Sequence, residues 1–285
     1  MGLFFLISAY FLPVSFDRKG AAAFLRDRFV RLGIPLVVGY VVFSALEQKL
    51  DVAHLWFVGH LLVYALLYTA WRVLDLPSLS AVMPSHRQIL AFTLALATVT
   101  FAVRTAFPVD LWLSLGGILN VEVAHLPQYA SLFAIGLMAA RGRWLERLPA
   151  STGLLWLRIG LALAALRYAY LLGGDWTPRL AGGGFNFGSL MWSTWEAFIC
   201  VGLCVGLPVL FRERFAHPGR WTQLAARHAF GAYVVHVIPV VVGLQFVLAP
   251  LSVDPLVKFV VVTVLGIPVS FALAAAVHRL GWRTL

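Results

Sequence analysis

A carboxylate in the middle of an apolar run is the first residue that demands a chemical explanation. Glu196 sits in Ser189-Leu-Met-Trp-Ser-Thr-Trp-Glu-Ala-Phe198, well inside a long hydrophobic stretch. An ionisable group in a membrane helix costs roughly 2.5–3.5 kcal/mol on insertion scales, so it is retained for pairing or for function. Glu196 is therefore expected either to serve a catalytic site or to be paired structurally with Arg158, Arg167 or Arg104. Tyr233 and His236 lie three apart in another apolar run and share a helix face. Imidazole exchanges a proton near neutrality, as acid–base catalysis requires, while helix packing is the competing role. His54 and Trp56 open a further run, with His60 deeper and Tyr64 four residues on; an aromatic residue at a span end is also a common interfacial anchor. Arg28 and Arg31 stand three apart at the start of a helix, before Gly33 and Pro35. Guanidinium forks there suit the phosphates of CoA or a nucleotide diphosphate. Positive-inside charge and lipid headgroup binding compete with that reading.

The elements that position these residues are dictated by composition. Of 285 residues 61% are hydrophobic and 12% charged, with mean hydropathy +0.88. A soluble domain carries about 25% charge, so much of this surface never meets water. Crossing the hydrocarbon takes about 20 mostly apolar residues, and nine runs approach that length: Met1 to Val14, Phe29 to Leu46, His54 to Trp71, Gln88 to Phe107, Leu126 to Ala140, Thr152 to Leu172, Phe187 to Leu210, His228 to Ala249 and Leu256 to Val277. The expected fold class is all-α, a polytopic bundle of membrane helices.

The net charge of +10 follows the connecting loops. Alternate loops hold sixteen of the 22 Lys and Arg, down to Arg283, whereas the opposite set holds Lys49, Arg104, Arg179 and Lys258. Cytoplasmic loops carry such an excess, which puts the C-terminus in the cytoplasm and accounts for the basic charge without nucleic acid. Cys200 and Cys204 share a helix face and read as packing residues. Gly202-x-x-x-Gly206 reads as close helix contact, and Gly182-Gly-Gly184 lacks the Lys-Ser/Thr ending of a phosphate loop. No metal-ligand constellation and no Gly-x-Ser-x-Gly elbow is present in the sequence.

Five segments in order resemble the membrane acyltransferase 3 family: Phe4-Phe-Leu-Ile-Ser-Ala-Tyr-Phe11, Arg28-Phe-Val-Arg-Leu-Gly-Ile-Pro35, His54-Leu-Trp-Phe57, Leu126-Pro-Gln-Tyr-Ala-Ser-Leu-Phe-Ala-Ile-Gly136 and Gly231-Ala-Tyr-Val-Val-His236. The resemblance covers nearly the whole chain as a single domain and is nearest the glucan biosynthesis protein C branch. It implies ten transmembrane helices in a bacterial inner membrane, acyl-CoA as co-substrate with no permanently bound cofactor, and transfer of an acetyl or succinyl group to a saccharide or glycan hydroxyl. Arg28 and Arg31 would then hold the donor's phosphates or brace the site near its cytoplasmic mouth, Ser8 and Tyr10 would line the same region, His54 and Trp56 would contact substrate, and Glu196, Tyr233 and His236 would support catalysis. Two departures stand out. Ala9 replaces the Gly that follows the motif Ser, and the family's first helix, which carries the His that acts as general base, has no counterpart here. The domain is therefore expected to be incomplete at its N-terminus. On the polar spans alone, a glycan or lipid transporter or a noncatalytic scaffold would also fit.

Overall fold

Apolar runs with no satisfied polar partner must close their backbone hydrogen bonds internally, so in a membrane they become helices. A computed structural model describes residues 1–47, 52–77, 82–173, 182–217 and 219–279. The elements are α1 (Gly2–Tyr10), α2 (Leu12–Arg28), a π-helical stretch (Phe29–Gly33), α3 (Ile34–Glu47), a 3-10 turn (Ala53–Leu55), α4 (Trp56–Val73), α5 (His86–Ala106), β1 (Trp112–Leu115), β2 (Leu119–Glu122), a 3-10 turn (Val123–His125), α6 (Leu126–Gly142), α7 (Trp144–Arg147), α8 (Ala150–Gly173), α9 (Phe187–Arg214), α10 (Arg220–Val235), a second π-helical stretch (Ile238–Gln245), α11 (Phe246–Leu248) and α12 (Pro255–Arg279).

Among the described residues seven helices are long and apolar enough to cross a membrane, or eight if one bent pair is a single span. Nine runs were expected, and two differ. The first folds as α1, which has nine residues; at 1.5 Å per residue that is less than half the hydrocarbon thickness. The eighth begins earlier, at Arg220, and bends by 60° between Arg220–Val235 and Ile238–Leu248. The antiparallel hairpin of β1 and β2 was not foreseen; it pairs Trp112 with Glu122 and Leu115 with Leu119. Lys49, Arg179 and Arg283 of the charge pattern lie outside the described residues.

The chain divides into two compact units. The first comprises Met1–Leu25, Val63–Leu115 and Leu119–Ala216. Its core joins Leu96, Trp156 and Val201 from α5, α8 and α9, and Leu6, Leu132 and Cys204 from α1, α6 and α9. Small residues bring these helices together. A Cβ on Gly202 would lie 2.6 Å from the Trp156 carbonyl oxygen and 2.8 Å from Gly160 Cα, so the Gly-x-x-x-Gly spacing does serve close contact, against α8. Ala9 is fully buried, and a Cβ on Gly136 of α6 would come within 2.7 Å of its methyl. The extra carbon of Ala9 is thus accommodated by a glycine opposite.

The second unit comprises Arg26–Leu62, Gly116–Ile118 and His217–Leu285. Buried Leu32, Leu36, Phe43, Leu55 and Val58 form its core, against which Tyr233 and Val234 of α10 pack. Ala232 and Val235 meet Ala274 of α12. The other faces of these helices display Val37, Val41, Leu256, Phe259 and Val264, the aliphatic surface expected to face lipid tails.

Candidate functional site

The first polar cluster forms where α5, α6 and α9 of the first unit meet. Arg104, in the last turn of α5, is completely buried. It is therefore not the loop-edge charge that topology reading made it. Its Nη2 donates to Glu196 Oε2 at 2.5 Å, and its Nη1 donates to Ser193 Oγ at 3.3 Å. Glu196 and Ser193 face it together because they lie three apart on α9. The imidazole of His125, at the start of α6, lies between two carboxylates, with Nδ1 2.8 Å from Glu122 and Nε2 2.8 Å from Glu196. Arg104 Nη2 is also 3.1 Å from Nε2. That nitrogen cannot donate to Glu196 and accept from Arg104 at once, so these contacts represent alternative proton positions.

The surrounding backbone fixes this cluster. Glu122 ends β2 and accepts from the Asp110 amide at 3.2 Å. Burial pushes its carboxyl pKa up, but the hydrogen bond and charge of His125, with the Asp110 amide, outweigh that and hold it below its ordinary value. The Gly184 amide donates to the Arg104 carbonyl at 2.9 Å, and Gly183, at φ 134°, passes so close that a Cβ would meet this same carbonyl at 2.7 Å. The Gly-rich segment thus closes the end of α5. Tyr129 stacks on His125, and Phe5 stacks on Tyr129.

The second cluster belongs to the second unit. Where α10 stops at Val235 and the chain bends, the last carbonyls lose their regular helical partners. Two histidines use them. His54 Nε2 donates to the Tyr233 and Val234 carbonyls at 3.0 and 3.2 Å, and His236 Nδ1 donates to the Tyr233 carbonyl at 2.6 Å. The Tyr233 hydroxyl donates to the His54 carbonyl at 2.6 Å. The two imidazoles are 4.7 Å apart between centroids, with Phe43 edge-on to His54 and Phe57 edge-on to Tyr233. Each ring is held through one nitrogen. His54 Nδ1 is buried with no hydrogen-bond partner among the described residues, and the hydrogen bond of His236 to the Tyr233 carbonyl uses its Nδ1, not Nε2.

Of the residues singled out from sequence, the fold joins His54, Tyr233 and His236 and gives Glu196 the Arg104 partner named as its structural alternative. The remaining ones are separate. Trp56 packs its ring against His60, whose Nδ1 donates to the Trp56 carbonyl at 2.9 Å. Arg28 is half-buried in the second unit, and Arg31 is exposed with Asp27 Oδ1 at 3.4 Å. Ser8 and Tyr10 fall in the first unit, the Tyr10 hydroxyl donating to Glu146 at 3.5 Å. Arg158 is exposed on α8, and Arg167 stacks over Trp192 at 4.0 Å, with no carboxylate partner among the described residues. Sequence reading missed His125 and Glu122, although their spacing of three just before a span was a usable signal.

The two clusters differ in what they can do. The first pairs its charges internally, whereas the second presents imidazoles positioned by main chain, a geometry that can accept a proton from an attacking hydroxyl. Comparison with curated proteins and with solved structures returns no match for this chain. A family model described as an acyltransferase domain does match, over residues 1–275. That span takes in both clusters and, among the described residues, every long apolar helix but the last turn of α12, which decides for acyl transfer over transport: the chain belongs to the acyltransferase 3 family and is a membrane acyltransferase acting on groups other than aminoacyl groups.

Proposed function

We propose that this enzyme moves a small acyl group, acetyl or succinyl, from acyl-CoA to a hydroxyl of a saccharide or glycan, and that its nearest kin are in the glucan biosynthesis protein C branch. One observation carries the reading: two imidazoles 4.7 Å apart, each fixed through one nitrogen by a backbone carbonyl. In the transfer, the saccharide oxygen attacks the thioester carbonyl while its proton passes to the remaining nitrogen of His236 or His54. The carbon–sulfur bond then breaks, and that proton returns to the CoA thiolate. Tyr233 orients His54 through the hydroxyl-to-carbonyl bond.

Glu196, whose carboxylate is engaged by Arg104 and His125, remains a supporting candidate. Arg28 and Arg31 remain the donor-phosphate candidates, and Ser8, Tyr10 and Trp56 remain candidates for substrate contact. The protein is placed in a bacterial inner membrane, and the charge pattern supports a cytoplasmic C-terminus with donor access from that side. The test is acyl-CoA-dependent labelling of a saccharide by the purified full-length protein. The His54→Ala and His236→Ala variants should transfer at least 100-fold more slowly and still melt cooperatively. Undiminished transfer by the double variant would exclude the histidines as bases.

A further inference from the structure

Helices α1, α5, α6 and α9 of the first unit do not close on one another over their full length. They leave a cavity of about 540 Å³, within the roughly 300–1,000 Å³ of small-ligand pockets. Its walls are mainly aliphatic and aromatic, including Leu6, Phe92, Leu132, Ile135, Val205 and Val209. Gln88 and Ser131 are among its few polar side chains. Water is a poor occupant here, because an ordered water needs two to four polar partners and large apolar cavities stay dry. Were the cavity left empty, its walls would forgo the dispersion contacts that a packed occupant supplies. A hydrocarbon chain meets both conditions.

The charge around one end specifies the rest of the ligand. The α7 turn supplies Trp144, Leu145 and Leu148 to the wall, and Arg212 of α9 holds that turn by donating to the carbonyls of Leu145, Glu146 and Leu148 at 2.8–3.0 Å. Arg143 is ion-paired with Glu146, and Arg212 with Glu213. Arg87 and Arg147 are exposed, and each directly adjoins a wall residue, Gln88 and Leu148. All of these arginines belong to the basic set of loops, which faces the leaflet richer in anionic lipid.

We propose that this cavity is a lipid site, taking one acyl chain of an anionic phospholipid whose phosphate lies against Arg87 and Arg147. The site is independent of the donor and acceptor readings above, since no residue proposed for catalysis lines it.

Native mass spectrometry of the purified full-length protein should show one retained phospholipid. Added phosphatidylglycerol should raise the melting temperature in detergent by roughly 5 °C at saturation, with little response to phosphatidylcholine. Ala134→Phe and Val205→Trp, which fill the cavity from opposite walls, should each abolish the adduct and the shift. Arg87→Gln combined with Arg147→Gln should keep the adduct and lose the preference for phosphatidylglycerol. Absence of an adduct from the unaltered protein, equal response to the two lipids, or retention of both signals by a folded filling variant would overturn the site. A larger stabilisation by palmitoyl-CoA than by phosphatidylglycerol at equal concentration would overturn its assignment to phospholipid.

Discussion

Two buried polar clusters in this protein solve opposite problems. In the first unit, Arg104, Glu196, His125 and Glu122 bring charge into the bundle and cancel it locally. In the second, His54, Tyr233 and His236 have no carboxylate partner among the described residues and lean on carbonyls where α10 bends. A closed ion network offers no group to a substrate without breaking a buried pair, whereas a backbone-held imidazole gives up one nitrogen to orientation and keeps the other. Polar residues in a membrane protein are thus better sorted by what their partners leave unused than by how costly they are to bury.

The sharpest way to break this contrast is to remove the cation from the closed network. Arg104→Met leaves Glu196 buried beside one histidine and should destabilise the protein by about 3–5 kcal/mol, read as loss of the cooperative thermal transition in detergent. Normal melting would mean that water, not Arg104, compensates Glu196. The histidine cluster should respond in the reverse sense. His236→Ala is expected to slow acyl transfer by about 10²–10⁴-fold while melting normally, and an equal loss of stability would make the cluster another packing device.

Smaller effects sharpen the comparison. Gly202→Leu pushes α9 away from Trp156 and Gly160 and should cost about 1–3 kcal/mol through overpacking, displacing Glu196 six residues earlier on the same helix. Acid should affect the two clusters differently as well. Because the Glu122 carboxyl is held below its ordinary pKa, its stabilising contribution is complete above that ordinary value and is lost as pH falls through the lowered one. Glu122→Gln should therefore cost roughly 1 kcal/mol near neutrality and flatten the acid side of a melting-temperature profile below about pH 5. A profile parallel to that of the unaltered protein would place the acid-sensitive group elsewhere.

The spans were legible in the sequence because hydrocarbon thickness imposes one length on every crossing segment, and most observed helices start and end within a few residues of the expected runs. Gly202 and Gly206 were legible too, since only small residues permit such close backbone approach. The hairpin escaped because the expectation of helices left no strand to look for between Trp112 and Glu122. Tyr233 and His236 could be paired from spacing, yet nothing local required His54, 179 residues before Tyr233, to share their carbonyl.

What the sequence by itself determined, then, was the class of protein, the family and the face of each helix that could carry chemistry, all properties of composition and short-range period. The tertiary structure decided which charges cancel and which nitrogens remain. Arg104 and Glu196 are 92 residues apart, and whether a buried carboxylate is neutralised or available depends on a partner within about 3 Å, a distance that only the packing of helices sets.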